Sequence, residues 1–227
     1  MKTKSAILVG VGGQGAILTA KVLVNGLMKA GYDVKMSEVH GMSQRGGSVS
    51  TQVHWGDKVY SPVIGEGAAD LMVAFEKMEA VRYARFLKPD GIAVINDYAM
   101  PSSTIAAGLE EYPEGCLEAM TANFRCLTLD AARIAMDLGS ARCMNIVLFG
   151  AMTAALDLEE IDWEEIIRET VPPGPLQDPP FGIRPLDRID IERAGLKLRP
   201  CPFLRPHVHG ASSRLPGSLF SRPQDPE

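Results

Sequence analysis

Short apolar runs broken by glycine and polar turns alternate with stretches of helical period through Thr170, and that alternation predicts an α/β fold. Ile7, Leu8 and Val9 read as a buried strand, and Ala16–Val24 follows with apolar residues at helical spacing. A stop at Ala30-Gly31-Tyr32 leads into a second strand over Asp33–Val39. Val49–Trp55 alternates apolar and polar residues as a half-buried strand does. Gly56-Asp57-Lys58 then turns the chain into a return strand at Val59–Pro62, an antiparallel hairpin. Further strands are expected at Asp70–Glu76, at Ile92–Asn96 and, as an edge strand, at Arg125–Leu129. Helices are expected over Lys77–Phe86, over Ala131–Leu138 with Asp130 as cap, over Asn145–Leu156, and from Asp162 through Trp163–Thr170. Tyr98–Glu118, with Pro101, Pro113 and Gly115, reads as an irregular surface excursion. The sum is a three-layer α/β/α arrangement around a mostly parallel, Rossmann-like sheet with an antiparallel hairpin.

The pattern changes after Pro173. Ten of the 16 prolines fall beyond Gly174, together with seven arginines and little hydrophobic period. The chain therefore divides into a domain over 1–173 and a Pro/Arg-rich tail over 174–227, read as disordered or atypical. With 46% hydrophobic and 22% charged residues and a net charge of −5, the composition is that of a soluble domain. No basic stripe accompanies this acidic balance in the first 170 residues, which argues against a nucleic-acid partner. No apolar run reaches the roughly 18 to 20 residues that span a bilayer. Met1–Ser5 leads directly into the first strand and leaves no room for a signal peptide, so a cytoplasmic location is expected. Cys116, Cys126, Cys143 and Cys201 are scattered, without the paired short spacings of zinc or iron–sulfur sites. The chain alone is expected to bind no metal; Cys126 and Cys143 read as inert core residues, and His207 and His209 as solvated.

Candidate chemistry centres on Gly10-Val11-Gly12-Gly13-Gln14-Gly15, a G-x-G-x-x-G run between a strand and a helix. Glycines let the backbone turn sharply and approach a ligand, and the free N–H groups at a helix start favour an anion such as a diphosphate. The same glycines would serve a helix that simply packs closely on its strand. Glu38, near the end of the second strand, stands where a dinucleotide fold places the acid that binds a ribose hydroxyl; a solvated strand end is the alternative. His40-Gly41-Met42-Ser43-Gln44-Arg45-Gly46-Gly47-Ser48 would lie at the same carboxyl edge of the sheet. Two flexible backbones meeting beside the fixed charge of Arg45 suit a phosphate or carboxylate, although a plain surface loop would also hold these glycines.

Gly10–Gly15, then Ser37-Glu38-Val39-His40-Gly41-Met42-Ser43-Gln44-Arg45-Gly46-Gly47-Ser48, then Val59-Tyr60-Ser61-Pro62, closely resemble the gamma-type domain of the 2-oxoacid:ferredoxin oxidoreductases. Within it, the small subunits of the indolepyruvate type resemble this chain best. Asp70–Glu76 and Asn145 with its apolar helix belong to the same resemblance, which covers Lys4–Pro173. It implies the small subunit of a two-subunit enzyme. A large alpha subunit would carry thiamine diphosphate and [4Fe-4S] clusters and decarboxylate an aryl 2-oxoacid. Coenzyme A would take the acyl group, and ferredoxin the electrons. By position, Gly10, Gly12, Gly13, Gln14 and Gly15 and the Ser43-Gln44-Arg45-Gly46 loop would line the coenzyme A side of the site, with Arg45 as a contact to its phosphate or carboxylate. No residue is assigned as acid, base or nucleophile. The alternatives are a stand-alone NAD(P)-binding oxidoreductase built on Gly10, Gly12, Gly15 and Glu38, and a regulatory nucleotide-binding module. Members of the family end in one more amphipathic helix, which the tail does not repeat.

Overall fold

The computed structural model describes residues 3–40, 46–137, 143–158 and 160–171. In chain order the elements are β1 (Lys4–Val11), α1 (Ala16–Lys29), β2 (Asp33–His40), β3 (Ser48–Gly56), β4 (Ala69–Ala74) and α2 (Lys77–Tyr83), which a 3-10 turn at Ala84–Phe86 extends. Then come β5 (Leu87–Asn96), α3 (Ser103–Ala106), α4 (Cys116–Asn123), β6 (Arg125–Leu129), α5 (Ala131–Asp137), α6 (Met144–Ala155) and α7 (Trp163–Thr170). The tail over 174–227, with Cys201, His207 and His209, lies outside the described residues.

Six strands form one sheet in the order β2-β3-β1-β4-β5-β6. β1, β4, β5 and β6 run parallel, while β3 runs antiparallel to both β1 and β2. Strands covered on both faces need apolar side chains at odd and even positions alike, which is why Ala6–Val9 and Leu71–Ala74 read as unbroken apolar runs. Ala6 and Leu8 face α1, α5, α6 and α7, whereas Ile7 and Val9 face α2 and α4. α6 lies deep in the first layer, with Val147, Leu148, Phe149, Ala151 and Met152 all buried. Asp162 caps α7 by accepting from the Glu165 backbone N–H, as expected of a helix opening there. Among the described residues no helix is long and apolar enough to cross a membrane.

The sheet is mixed as expected, but the antiparallel partner differs. Val59–Pro62 forms no strand; β3 pairs instead with β2 before it and β1 beside it. The physical reason is where the backbone groups of residues 57–68 go. Val59 N donates to Asp33 Oδ2 at 2.9 Å, Ile64 N donates to Gln52 Oε1 at 2.6 Å, and the Ser61 carbonyl meets His54 Nδ1 at 2.8 Å. Side chains take the bonds that a ladder would have used, and Pro62 has no N–H to offer. Val59 and Ile64 are buried, five positions apart, a spacing that no strand alternation produces.

Two smaller differences share that logic. β5 begins at Leu87 rather than Ile92, because Leu87 pairs with Ala69 and the register then slips through Pro89 before Ile92 pairs with Leu71. Tyr98–Glu118 is not wholly irregular, since it holds α3 and the start of α4.

Candidate functional site

The carboxyl ends of β1, β4 and β5 and the start of β3 meet at one edge of the sheet, held by side-chain amides. Gln14 is buried: its Oε1 accepts from Val11 N at 2.8 Å and its Nε2 donates to the Phe75 carbonyl at 3.1 Å. Asn96, fully buried at the end of β5, donates to that same carbonyl at 3.2 Å and accepts from Ala131 N at 3.0 Å. One carbonyl thus ties the glycine turn to β4, β5 and α5. A side chain on Gly10 would collide with Gln14 and the Phe75 Cβ, each 2.9 Å from where its own Cβ would stand. Gly10 therefore serves packing.

Gly13 and Gly15 serve the turn. Their φ angles of +104° and +86° lie in the left-handed region that disfavours other residues. Around Gly13 there is open space, while a Cβ on Gly15 would come within 2.9 Å of the Asn145 side-chain nitrogen. Asn145 is buried, and its Oδ1 has no hydrogen-bond partner among the described residues. Gly12 N donates to the Gly47 carbonyl at 2.8 Å, and Val11 pairs with Ser48. The glycine turn and the end of the second loop therefore meet, as their order along the chain predicted. Ser43, Gln44 and Arg45 lie outside the described residues; Gly46 is described, with φ +76°.

Beside this junction is a cavity of about 460 Å³ lined by Val11, Gly12, Gly13, Gly15, Ala16, Ile17, Lys21, Glu38 and Val49. The amino end of α1 opens onto it with no side-chain cap and no acidic residue in the first turn. Its partial positive charge therefore faces the cavity with no compensating acid in its own first turn. Lys21, exposed one turn further along α1, adds a full positive charge to the same wall, and the exposed Glu38 stands opposite on β2. Sequence reasoning missed Lys21. Its trace was there, because Thr19 and Lys21 are the only polar residues between Ala16 and Val24. The space suits an anionic group bound mainly by backbone N–H groups.

Glu38 lines the cavity, but its relation to the glycines differs from that in a dinucleotide fold. There the strand bearing the acid lies next to β1. Here β3 intervenes, so that Leu8, Thr51 and Glu38 stand in one row across three strands, with Glu38 about 10 Å from β1 at the usual strand spacing.

A second polar group sits on the other face of the junction. Glu76, fully buried, caps α2 by accepting from Glu79 N at 2.9 Å, and its other oxygen accepts from Tyr112 Oη and from Met100 N. Burial and then the Glu76 carboxylate push the Tyr112 hydroxyl pKa well above its ordinary value. The Cys116 thiol is raised for the same two reasons, so it is a protonated core group rather than a nucleophile. Glu79, also buried, accepts from Ser48 Oγ and pairs with Arg82 Nε at 3.1 Å. Among the described residues no cluster of histidine, cysteine or acidic groups could hold a metal ion.

Residues 5–176 match the sequence profile of the family described as pyruvate ferredoxin/flavodoxin oxidoreductase, and the chain belongs to that family. Indolepyruvate oxidoreductase subunit IorB of Pyrococcus horikoshii is 39% identical over 183 residues, covering 76% of this chain and 89% of that protein. Pyruvate oxidoreductase subunit PORC from Thermotoga maritima shares the fold, with a TM-score of 0.58 at 20% identity over 76% of this chain and 88% of its own. A structure of 2-oxoglutarate:ferredoxin oxidoreductase from Magnetococcus marinus, with 2-oxoglutarate, coenzyme A and succinyl-CoA bound, aligns at a TM-score of 0.56 and 19% identity. It covers 74% of this chain and 27% of the much longer structure. At these identities the two structures speak for the fold, an α/β sheet of the oxidoreductase gamma-subunit kind.

Proposed function

We propose that this chain is the small subunit of a thiamine diphosphate-dependent 2-oxoacid:ferredoxin oxidoreductase acting on indolepyruvate or a related aryl pyruvate. A large subunit would hold thiamine diphosphate and the [4Fe-4S] clusters. Aryl 2-oxoacid, coenzyme A and oxidised ferredoxin would give the aryl acyl-CoA, carbon dioxide and reduced ferredoxin. The 39% identity to an indolepyruvate oxidoreductase subunit, over 76% of this chain, supports the substrate class. The donor set argues that the clusters belong elsewhere: the three described cysteines, Cys116, Cys126 and Cys143, are buried and lie on separate parts of the fold, and thiolate clusters need convergent cysteines.

The observation that carries the chain's own part is the cavity at the glycine turn. Backbone at Gly13 and Gly15, the uncapped start of α1 and Lys21 meet there with an open wall at Gly13, while Gly12 is held by the Gly47 carbonyl. That set fits a phosphate group of coenzyme A, with Arg45 as a further contact from the second loop. When bound, coenzyme A supplies the thiol that accepts the acyl group; this chain would hold its phosphates and orient it toward the large subunit.

The test is anaerobic co-purification with this chain as bait, followed by assay of the complex with indolepyruvate, coenzyme A and ferredoxin. Recovery of a large partner with iron–sulfur absorption, and ferredoxin reduction requiring both oxoacid and coenzyme A, is the expected result. A chain that emerges alone and binds NAD(P) tightly would return the reading to a stand-alone dehydrogenase.

A further inference from the structure

Ser48 is the first residue of β3, immediately after the Gly47 carbonyl that receives the Gly12 N–H. Its backbone pairs with Val11 at the end of β1, while its side chain crosses to the opposite face of the sheet from the cavity. There Ser48 Oγ donates to Glu79 Oε2, and Tyr83 Oη lies 3.4 Å from the same hydroxyl. The Glu79 side chain is 2% exposed. We infer that Glu79 is a positioning residue for the glycine turn: by gripping Ser48 from behind the sheet, its carboxylate fixes the Gly47 carbonyl against Gly12 and so sets the wall of the cavity.

The groups around Glu79 make this a costly way to fill a core position. Burial raises its pKa above the ordinary value, Ser48 and Arg82 lower it, and the neighbouring Glu76 raises it again. A carboxyl raised by folding contributes stability that is full below the unfolded value of 4.5 and is lost as pH rises through the folded value. The ionised form of Glu79 therefore opposes folding, and Arg82, which pairs with it, is 55% exposed and screened by water. An apolar residue would serve packing better. What it would not provide is an acceptor for Ser48.

This inference rests on the reading that the cavity holds coenzyme A, and the experiment separates the two. Glu79→Leu and Ser48→Ala each remove one side of the contact, Glu79→Gln keeps an acceptor, and all are assembled with the large subunit. Hydrogen exchange at the Gly12 amide reads the position of the turn without any ligand. We expect exchange about five- to tenfold faster in Glu79→Leu and in Ser48→Ala, as the loss of one ordinary hydrogen bond gives. The double variant should be no worse than either, and Glu79→Gln should restore most of the protection. The KM for coenzyme A should rise with that exchange while kcat holds, and Glu79→Leu should melt no lower than the parent. Unchanged Gly12 protection in both single variants overturns the inference, as do additive effects or a general rise in exchange with a lower melting temperature. Faster Gly12 exchange with an unchanged KM for coenzyme A upholds the positioning role and removes the coenzyme A reading instead.

Discussion

Gly26 of α1 lies against the indole of Trp163 in α7 so closely that a methyl group there would fall 2.0 Å from the ring carbon Cζ3. Trp163 cannot retreat easily. Its Nε1 donates to the Leu158 carbonyl at 2.8 Å, and its ring stands edge-on to Phe149 with centroids 5.0 Å apart. Gly26→Ala would gain about 1 kcal/mol of helix propensity, yet overpacking a filled core costs about 1–3 kcal/mol and more where the overlap is this deep. The overlap decides the sign. Urea denaturation should show the variant less stable, with its midpoint lowered and its slope unchanged.

Gln14 uses both ends of its amide inside the protein. Gln14→Leu keeps the buried volume but leaves the Val11 N–H and the Phe75 carbonyl without this partner. A buried donor left unsatisfied costs about 1–3 kcal/mol. Phe75 retains the amide of Asn96, which limits the loss on its side. The variant should melt lower, and the glycine turn should lose amide protection before the rest of β1 does.

Asp33 links the start of β2 to the extended segment after β3. The Val59 N–H, then Lys35, hold its carboxyl down to about 2 against an ordinary 3.8. A depressed folded pKa gives stability that is present above 3.8 and is lost as pH falls toward about 2. Asp33→Asn should therefore melt lower than the parent at pH 6, and the difference should shrink through that acid window. Because Lys35 and Lys58 are exposed, salt should reduce the difference at pH 6 as well. Melting curves at several pH values and two salt concentrations measure both effects.

Much of this fold was written in local pattern. The strands of the parallel set are apolar on both faces, the helices after Asp130 and Asp162 begin at the caps their side chains make, and the strand–glycine–helix unit stands where its spacing puts it. What local pattern could not show was partner choice. β3 looks equally ready to pair forward with Val59–Pro62 or backward with β2, and the choice turns on Asp33, Gln52 and His54, which take the forward segment's backbone groups. The site divides likewise. Gly13 and Gly15 are legible because only glycine favours such φ angles, whereas Gln14 reads like a ligand contact and is bonded within the fold. Lys21 and Glu79 become functional candidates only when a helix and a strand from distant parts of the chain lie side by side.

Lys21 offers the cleanest test of the cavity, because it is exposed and its removal leaves the core untouched. Among the described residues it makes no ion pair, so its charge is available to a ligand rather than committed to the fold. Lys21→Ala should leave the melting temperature within the scatter of surface substitutions, about 0.5 kcal/mol. If a phosphate sits against the start of α1, losing one charge-assisted contact should raise the KM for coenzyme A about three- to tenfold and weaken its dependence on salt. Lys21→Glu should raise it further, since repulsion replaces attraction. The KM for the 2-oxoacid, measured in the same complex, should stay where it was, because that pocket would lie on the other subunit; an equal rise in both constants would place the cavity outside coenzyme A binding.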